Sequence, residues 1–187
     1  MKDYGIFAFG SGANDIFENF EKPYLYDTKY DRIAIDSDIN KLEEINADIK
    51  IQIGKYITNG HGCGSNCDFG EIAFEENKYD ILSMMSNYEK VFIIAFLGGG
   101  LGTGCINKLS ECFYNSDKRN FIFFLTRPFA FEGKSKNNQA QEVLKKLIEL
   151  NLNTFVIGDT LDFKVTFKEA YKKRNEMMSN LIKNLII

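Results

Sequence analysis

Along the chain, short uninterrupted apolar runs alternate with longer stretches in which apolar residues recur every three or four positions. Tyr4–Phe9, Arg32–Ile35, Lys50–Ile53, Lys90–Phe96, Phe121–Leu125 and Thr154–Ile157 are β-branched, aliphatic or aromatic runs bounded by Gly or polar residues. That is the pattern of buried strands. Between them, Ile72–Met85, Cys105–Phe113 and Gln139–Leu150 carry helical period, and Thr166–Ile187 fits one long last helix. Strands that are apolar throughout and separated by helices predict an α/β fold, a three-layer Rossmann-like parallel sheet with helices on both faces. Glycines gather at three strand ends: Gly10/Gly12, Gly60/Gly62/Gly64 and Gly98 to Gly104. In open parallel sheets the ligand crevice forms at the carboxyl ends of the strands, so the glycines mark a binding site.

Composition narrows the function. The 187 residues suit a single domain, here 1–187, with no linker, repeat or low-complexity tract to divide it. Lys and Arg number 23 against 26 Asp and Glu, a net charge of −3, so no basic excess exists to neutralise a nucleic-acid backbone. Four cysteines are too few for a disulfide scaffold in a chain of this length. No apolar stretch reaches the length of a signal peptide or a membrane span, which predicts a cytoplasmic protein without membrane insertion. Seventeen Phe and nine Tyr without a single Trp read as coding bias rather than function.

The sharpest motif is Leu97-Gly-Gly-Gly-Leu-Gly-Thr-Gly-Cys105, which follows a strand and opens a helix. Glycines let the backbone approach an anion, exposed N–H groups donate to it, and the helix N-terminus adds a favourable dipole. Thr103 offers a hydroxyl for a phosphate oxygen. No Lys follows the last Gly, so this is not the common P-loop, and dinucleotide fingerprints sit on the first strand rather than here.

With Gly98-Gly-Gly-Leu101-Gly-Thr-Gly104, the chain resembles the tubulin/FtsZ superfamily and its FtsZ branch, whose signature is G-G-G-T-G-[ST]-G. The resemblance covers nearly the whole chain. Ile35-Asp-Ser-Asp38 with Asn40-Lys-Leu42 resembles the N-T-D-x-x-x-L segment, and Thr58-x-Gly60-x-Gly62-x-Gly64-x-Asn66 the third nucleotide loop. Thr126-Arg-Pro-Phe-Ala-Phe-Glu-Gly133 is similar to T-K-P-F-x-F-E-G. The implied ligand is GTP or GDP, with Mg²⁺ accompanying the triphosphate. The implied site runs from Gly10, Ser11, Gly12 and Asn14 in the first loop through Asp38 in the second to Gly62, Gly64 and Asn66 in the third. Gly98, Gly99, Gly100, Leu101, Gly102, Thr103 and Gly104 would wrap the phosphates. Pro128 and Glu132 belong to the ribose segment, where Glu132 would accept from the hydroxyls. Tyr171 would stack on the base and Asn175, four residues on and on the same helix face, would read its edge.

Departures from the family pattern accompany these matches. The first loop is two residues short, and Leu101 stands where the signature has Thr. Lys136 or Lys134 replaces an Arg beyond Glu132, and Ile157-Gly-Asp-Thr-Leu161 replaces I-P-N-D-R-L. They imply altered affinity or kinetics rather than loss of the pocket. Asn66-Cys-Asp68-Phe-Gly-Glu71 mimics the family's N-x-D-x-x-D synergy loop but lies in the register of the third loop. The true synergy loop and second domain would follow a helix that here closes the chain, so hydrolysis by this chain alone is expected to be weak or absent. No catalytic residue stands out. His61, Cys63 and Cys67 lack a zinc spacing, leaving no protein metal site, and the charged run Lys164–Arg174 reads as a solvated helix face, of which at most Lys172–Arg174 also meets a partner.

Three readings follow. The chain is the GTP-binding domain of a divergent FtsZ that polymerises only with a C-terminal half, or a stand-alone module that docks on a partner filament and regulates or caps it. A dinucleotide-type enzyme on the same fold is the third. The expected partner is an FtsZ-like protein, self or full-length, meeting the nucleotide face. Leu181, Ile182, Leu185, Ile186 and Ile187 form an apolar stripe that would take a further partner or a dimer mate at the last helix.

Overall fold

A computed structural model describes residues 3–20, 29–113, 120–158 and 165–186. Six strands form one wholly parallel sheet: β1 (Tyr4–Phe9), β2 (Tyr30–Asp36), β3 (Ile49–Gln52), β4 (Lys90–Phe96), β5 (Phe121–Thr126) and β6 (Thr154–Ile157). Their spatial order is β3-β2-β1-β4-β5-β6, so the order reverses between β1 and β4. A crevice at the carboxyl ends of the strands opens at that switch point.

Alternate residues of the central strands β1, β2, β4 and β5 feed two cores. On one face Phe7, Phe9, Ile33, Ile35, Ile93 and Phe123 pack under three long helices, α4 (Cys67–Met85), α5 (Gly100–Cys112) and α6 (Lys134–Glu149). On the other face Ile6, Ala8, Ala34, Phe92, Ile94 and Phe124 meet Ile16, Phe17 and Leu42, with the last helix, α7 (Phe167–Ile186), laid across them through Met178, Ile182 and Ile186. Burial on both faces is why the strands are apolar throughout rather than alternating.

The strands fall within two residues of the runs read from the sequence. The helices differ more. α4 begins at Cys67, five residues before its first periodic apolar position, because the Asn66 side chain caps it by accepting from the backbone N–H groups of Asp68 (2.9 Å) and Phe69 (3.4 Å). α5 begins inside the glycine run, at Gly100. Three short helices carry no visible period: α1 (Ser11–Asn14), α2 (Ile39–Glu44) and α3 (Lys55–Thr58). The apolar stripe of α7 is divided. Ile182 and Ile186 are core, Leu181 packs against the core, Leu185 is exposed, and Ile187 lies outside the described residues. No described helix is long and apolar enough to cross a membrane.

Candidate functional site

A cavity of about 390 Å³ opens at the β1/β4 switch point. That volume suits a small ligand of nucleotide size. Its floor is built from loops that follow β1 and β4. Gly10, at φ 87°, turns the chain from β1 into α1, and its N–H donates to the Ile35 carbonyl at 2.9 Å. Ser11 and Gly12 then face the cavity. After β4, Gly99 caps α5, and Gly99, Gly100, Leu101 and Gly102 line the same space. The first-turn N–H groups of this thirteen-residue helix are thereby aimed into the cavity, where they and the helix dipole favour an anion.

The loop between β3 and α4 forms a wall. Asp38 and His61 make an isolated antiparallel bridge, and the Ile39 N–H donates to the Gly60 carbonyl at 3.2 Å. These contacts bring Gly62, Cys63, Gly64 and Ser65 to the cavity beside Ser37 and Asp38. Asp38 also caps α2, its Oδ1 accepting from the N–H groups of Asn40 and Lys41, and Lys41 reaches the lining from that first turn. Cys63 Sγ lies 3.3 Å from Ser37 Oγ, and burial pushes its thiol pKa up, so it is a neutral thiol.

Asp36 is buried on the same side. Its Oδ1 accepts from the N–H groups of Ser37 (2.8 Å) and Asp38 (3.1 Å), and Asn14 Nδ2 lies 3.4 Å from Oδ2. Burial outweighs those hydrogen bonds and pushes its pKa up to about 6. The opposite wall comes from the segment after β5 and from α7. Glu132 Oε1 accepts from the Phe129 N–H at 3.1 Å, and Lys136 Nζ stands 3.4 Å from Oε2. Burial, followed by the Glu132 carboxylate, raises the Tyr171 phenol pKa.

Of the residues expected from the sequence, the cavity gathers Gly10, Ser11, Gly12, Asp38, Gly62, Gly64, Gly99, Gly100, Leu101, Gly102, Glu132, Lys136 and Tyr171. Of the two lysines offered in place of the missing Arg, Lys136 faces it. Others stand behind the wall. Asn14 is fully buried and ties α1 to the end of β2 through the Ile35 carbonyl at 3.2 Å. Asn66 caps α4, which places the hexapeptide Asn66–Glu71 at the start of that helix. The Thr103 hydroxyl accepts from the Gly98 N–H at 2.8 Å, bracing the loop from within. Pro128 packs on Gly98, where a Cβ would stand 2.5 Å from its Cγ. Gly104 faces α4, and Asn175 is not in the cavity lining; its Oδ1 is buried and given no donor by the described residues. Asp159, in the Ile157-Gly-Asp-Thr-Leu161 segment, lies outside the described residues.

Sequence reasoning missed Asp36, Lys41, Phe96 and Arg174 in the lining. Arg174 corrects the reading of its charged run as a solvated face. Lys172 and Lys173 are exposed, but Arg174 is buried with its guanidinium carbon 4.3 Å from the Phe96 ring centroid, 4.6 Å from Phe129 and 4.7 Å from Tyr171. Three residues beyond Tyr171 on a helix, it shares that residue's face, and this spacing was the available signal. Among the described residues no group of three or more His, Cys, Asp or Glu side chains could hold a metal ion.

A parallel sheet of this strand order, with glycine loops at its switch point, has the α/β fold of the tubulin and FtsZ type. Residues 7–159 match the model of the tubulin/FtsZ family, GTPase domain, and the chain belongs to that family. It is 33% identical over 158 residues to cell division protein FtsZ 1 of Methanocaldococcus jannaschii, a match spanning 82% of this chain and 43% of that protein. Cell division protein FtsZ of Haloferax mediterranei is 31% identical over 82% of this chain and 41% of its own length. Among solved structures, an empty FtsZ dimer from M. jannaschii superposes with a TM-score of 0.83 at 28% identity, over all of this chain and 55% of that one. The chain thus spans somewhat under half the length of the curated relatives it matches.

Proposed function

We propose that the cavity binds GTP or GDP and that the chain is the nucleotide-binding domain of an FtsZ-like cytoskeletal GTPase of cell division. One observation carries the reading: the glycine-lined N-terminus of α5 and the aromatic Tyr171 wall face each other across one cavity of nucleotide size. Backbone N–H groups of Gly99–Gly102 and of the Gly10–Gly12 turn would take the phosphates, with Lys41 and Lys136 adding positive charge. Gly62, Gly64 and Ser65 would meet the last phosphate, Glu132 would accept from the ribose hydroxyls, and Tyr171 would stack on the base. Asn14, Asn66, Gly98, Thr103, Gly104 and Pro128 would serve by shaping these loops. Mg²⁺ would arrive on the triphosphate, held by phosphate oxygens and water. An FtsZ-like subunit, as in the dimer described for the M. jannaschii protein, would be the partner at the nucleotide face.

The test is to release and identify co-purified nucleotide, then titrate labelled GDP, GTP and ADP with and without Mg²⁺. Guanine nucleotides are expected to bind in preference to ADP. Tyr171→Ala is expected to weaken GDP binding about tenfold, within the range for losing one base–aromatic stack. Absence of guanine-nucleotide binding at millimolar concentration overturns the proposal.

A further inference from the structure

We propose that Asp36 couples phosphate binding to a proton: the cavity takes the phosphate chain of a nucleotide with the Asp36 carboxyl neutral, and holds it less tightly once that carboxyl ionises. This rests on the nucleotide-binding reading of the cavity.

Asp36 closes β2 and is only 3% exposed, yet it lines the cavity. The adjacent strand β1 runs into the Gly10–Gly12 turn, whose Gly10 N–H donates to the Ile35 carbonyl, one residue before Asp36. A phosphate held by that turn would share a small space with the carboxyl. The carboxyl is fixed there: Oδ1 accepts from the Ser37 and Asp38 N–H groups at 2.8 and 3.1 Å, and Asn14 Nδ2 stands 3.4 Å from Oδ2. In the N-T-D segment that Asp36-Ser37-Asp38 resembles, the first position is an uncharged amide, so this carboxyl is a departure of the present chain. Burial already favours its neutral form, with a pKa of about 6, and the charge of Asp38 adds to the shift. A polyanion in the same cavity would raise that pKa further, because like charges repel more strongly where water is excluded. Above pH 6 the phosphates must then either bring a proton to Asp36 or bear the repulsion, so affinity falls as the pH rises. The groups around Asp36 are Asn14 from α1, Asp38, Lys41 from α2, His61 and the Cys63 thiol from the loop before α4, and the buried Cys105 thiol from α5. Glu132, Lys136, Tyr171 and Arg174 stand on the opposite wall. All of them are kept when Asp36 alone is replaced.

The experiment titrates the full chain and its Asp36→Asn variant with GDP from pH 5 to pH 8, in EDTA so that no divalent cation offsets the carboxylate. The terminal phosphate of GDP ionises in the same range, so the readout is the ratio of the two affinities rather than either alone. That ratio is expected to be near one at pH 5, where Asp36 is largely neutral, and to favour the variant about tenfold at pH 8. A loop merely reshaped by the substitution would give a ratio that does not change with pH. The second measurement is a carboxyl-carbon NMR titration of Asp36 in the wild type, whose midpoint should rise by about one pH unit when GDP is bound. If the variant does not fold, that titration decides alone. A ratio independent of pH, a ratio that turns against the variant as the pH rises, or a midpoint unmoved by GDP overturns the role of Asp36 while leaving nucleotide binding intact. A wild type that binds GDP at neither end of the range removes the nucleotide reading itself, and this proposal with it.

Discussion

Gly104→Ala is expected to lower stability by about 2 kcal/mol, although Gly104 lies in the glycine signature and touches no part of the cavity. A Cβ at Gly104 would overlap the Cys67 carbonyl oxygen and stand 2.5 Å from the Glu71 nitrogen and 2.7 Å from the Gly70 carbonyl carbon. All three are backbone atoms of α4, which cannot turn aside as a side chain can. Gly70 is the reciprocal position, since its Cβ would run into the Gly100 carbonyl oxygen. The two helices therefore cross at backbone contact. Overpacking of this kind costs about 3 kcal/mol, and the better helix propensity of Ala returns about 1. The net loss corresponds to a fall in melting temperature of about 4–8 °C for a chain of this size.

Gly99→Ala gives the opposite result. Its Cβ would meet only the Phe96 carbonyl oxygen, at 3.8 Å, and its backbone is extended, so the fold tolerates the methyl group. If the cavity takes a nucleotide as proposed, that methyl would obstruct the ligand instead, because Gly99 lines the cavity where the backbone would approach a phosphate. Thermal melts and GDP titrations of both variants separate the two uses of glycine in one motif. Gly104→Ala melting with wild type would show that the α4–α5 crossing yields, and would sink the packing account.

That division marks how far the sequence was legible. The strands were readable because Phe, Ile and Val fill both faces of a covered sheet, leaving dense runs such as Val91–Ala95. The loops of the site were readable because close approach to an anion needs glycine. Helix starts were not, since α4 and α5 begin at Asn and Gly residues fixed by capping and by backbone contact rather than by periodic apolar positions. α1, α2 and α3, at four to six residues, are too short to display a period. Within the site, Asn14, Asn66 and Thr103 matched nucleotide motifs, yet their side chains hold β2, α4 and the glycine loop in place. Sequence matching does not distinguish a residue that touches the ligand from one that shapes the loop that does. Arg174 was concealed by its neighbours: Lys172 and Lys173 made a charged run, and the cage that draws it inward comes from three separate elements.

Asp36→Asn is expected to stabilise the protein by about 3 kcal/mol at pH 7 and by progressively less as the pH falls to 4, in the absence of nucleotide and divalent metal. The carboxyl has a folded-state pKa of about 6 against an ordinary value of 3.8, because burial disfavours its charge more than the Ser37 and Asp38 N–H groups favour it. The native state therefore holds the proton more tightly than the unfolded chain. Its contribution to stability is complete below about pH 4, declines as the pH rises through 6, and is absent above that. Two pKa units correspond to about 3 kcal/mol. Asn has no charge to bury, and its Oδ1 can still accept from both N–H groups. Asn14 supplies the remaining partner: its own Oδ1 is buried with no donor among the described residues, and the new amide can donate to it after a modest rotation. Charged groups elsewhere in the lining, Asp38, Lys41 and Glu132 among them, remain common to both proteins, so the difference between their denaturation free energies isolates Asp36. Measured in urea from pH 4 to 8, that difference should rise between 4 and 6 and then level. A difference independent of pH would mean that Asp36 is solvated enough to ionise normally, and that the second loop is more open to water than the closely hydrogen-bonded turn at Ser37 and Asp38 requires.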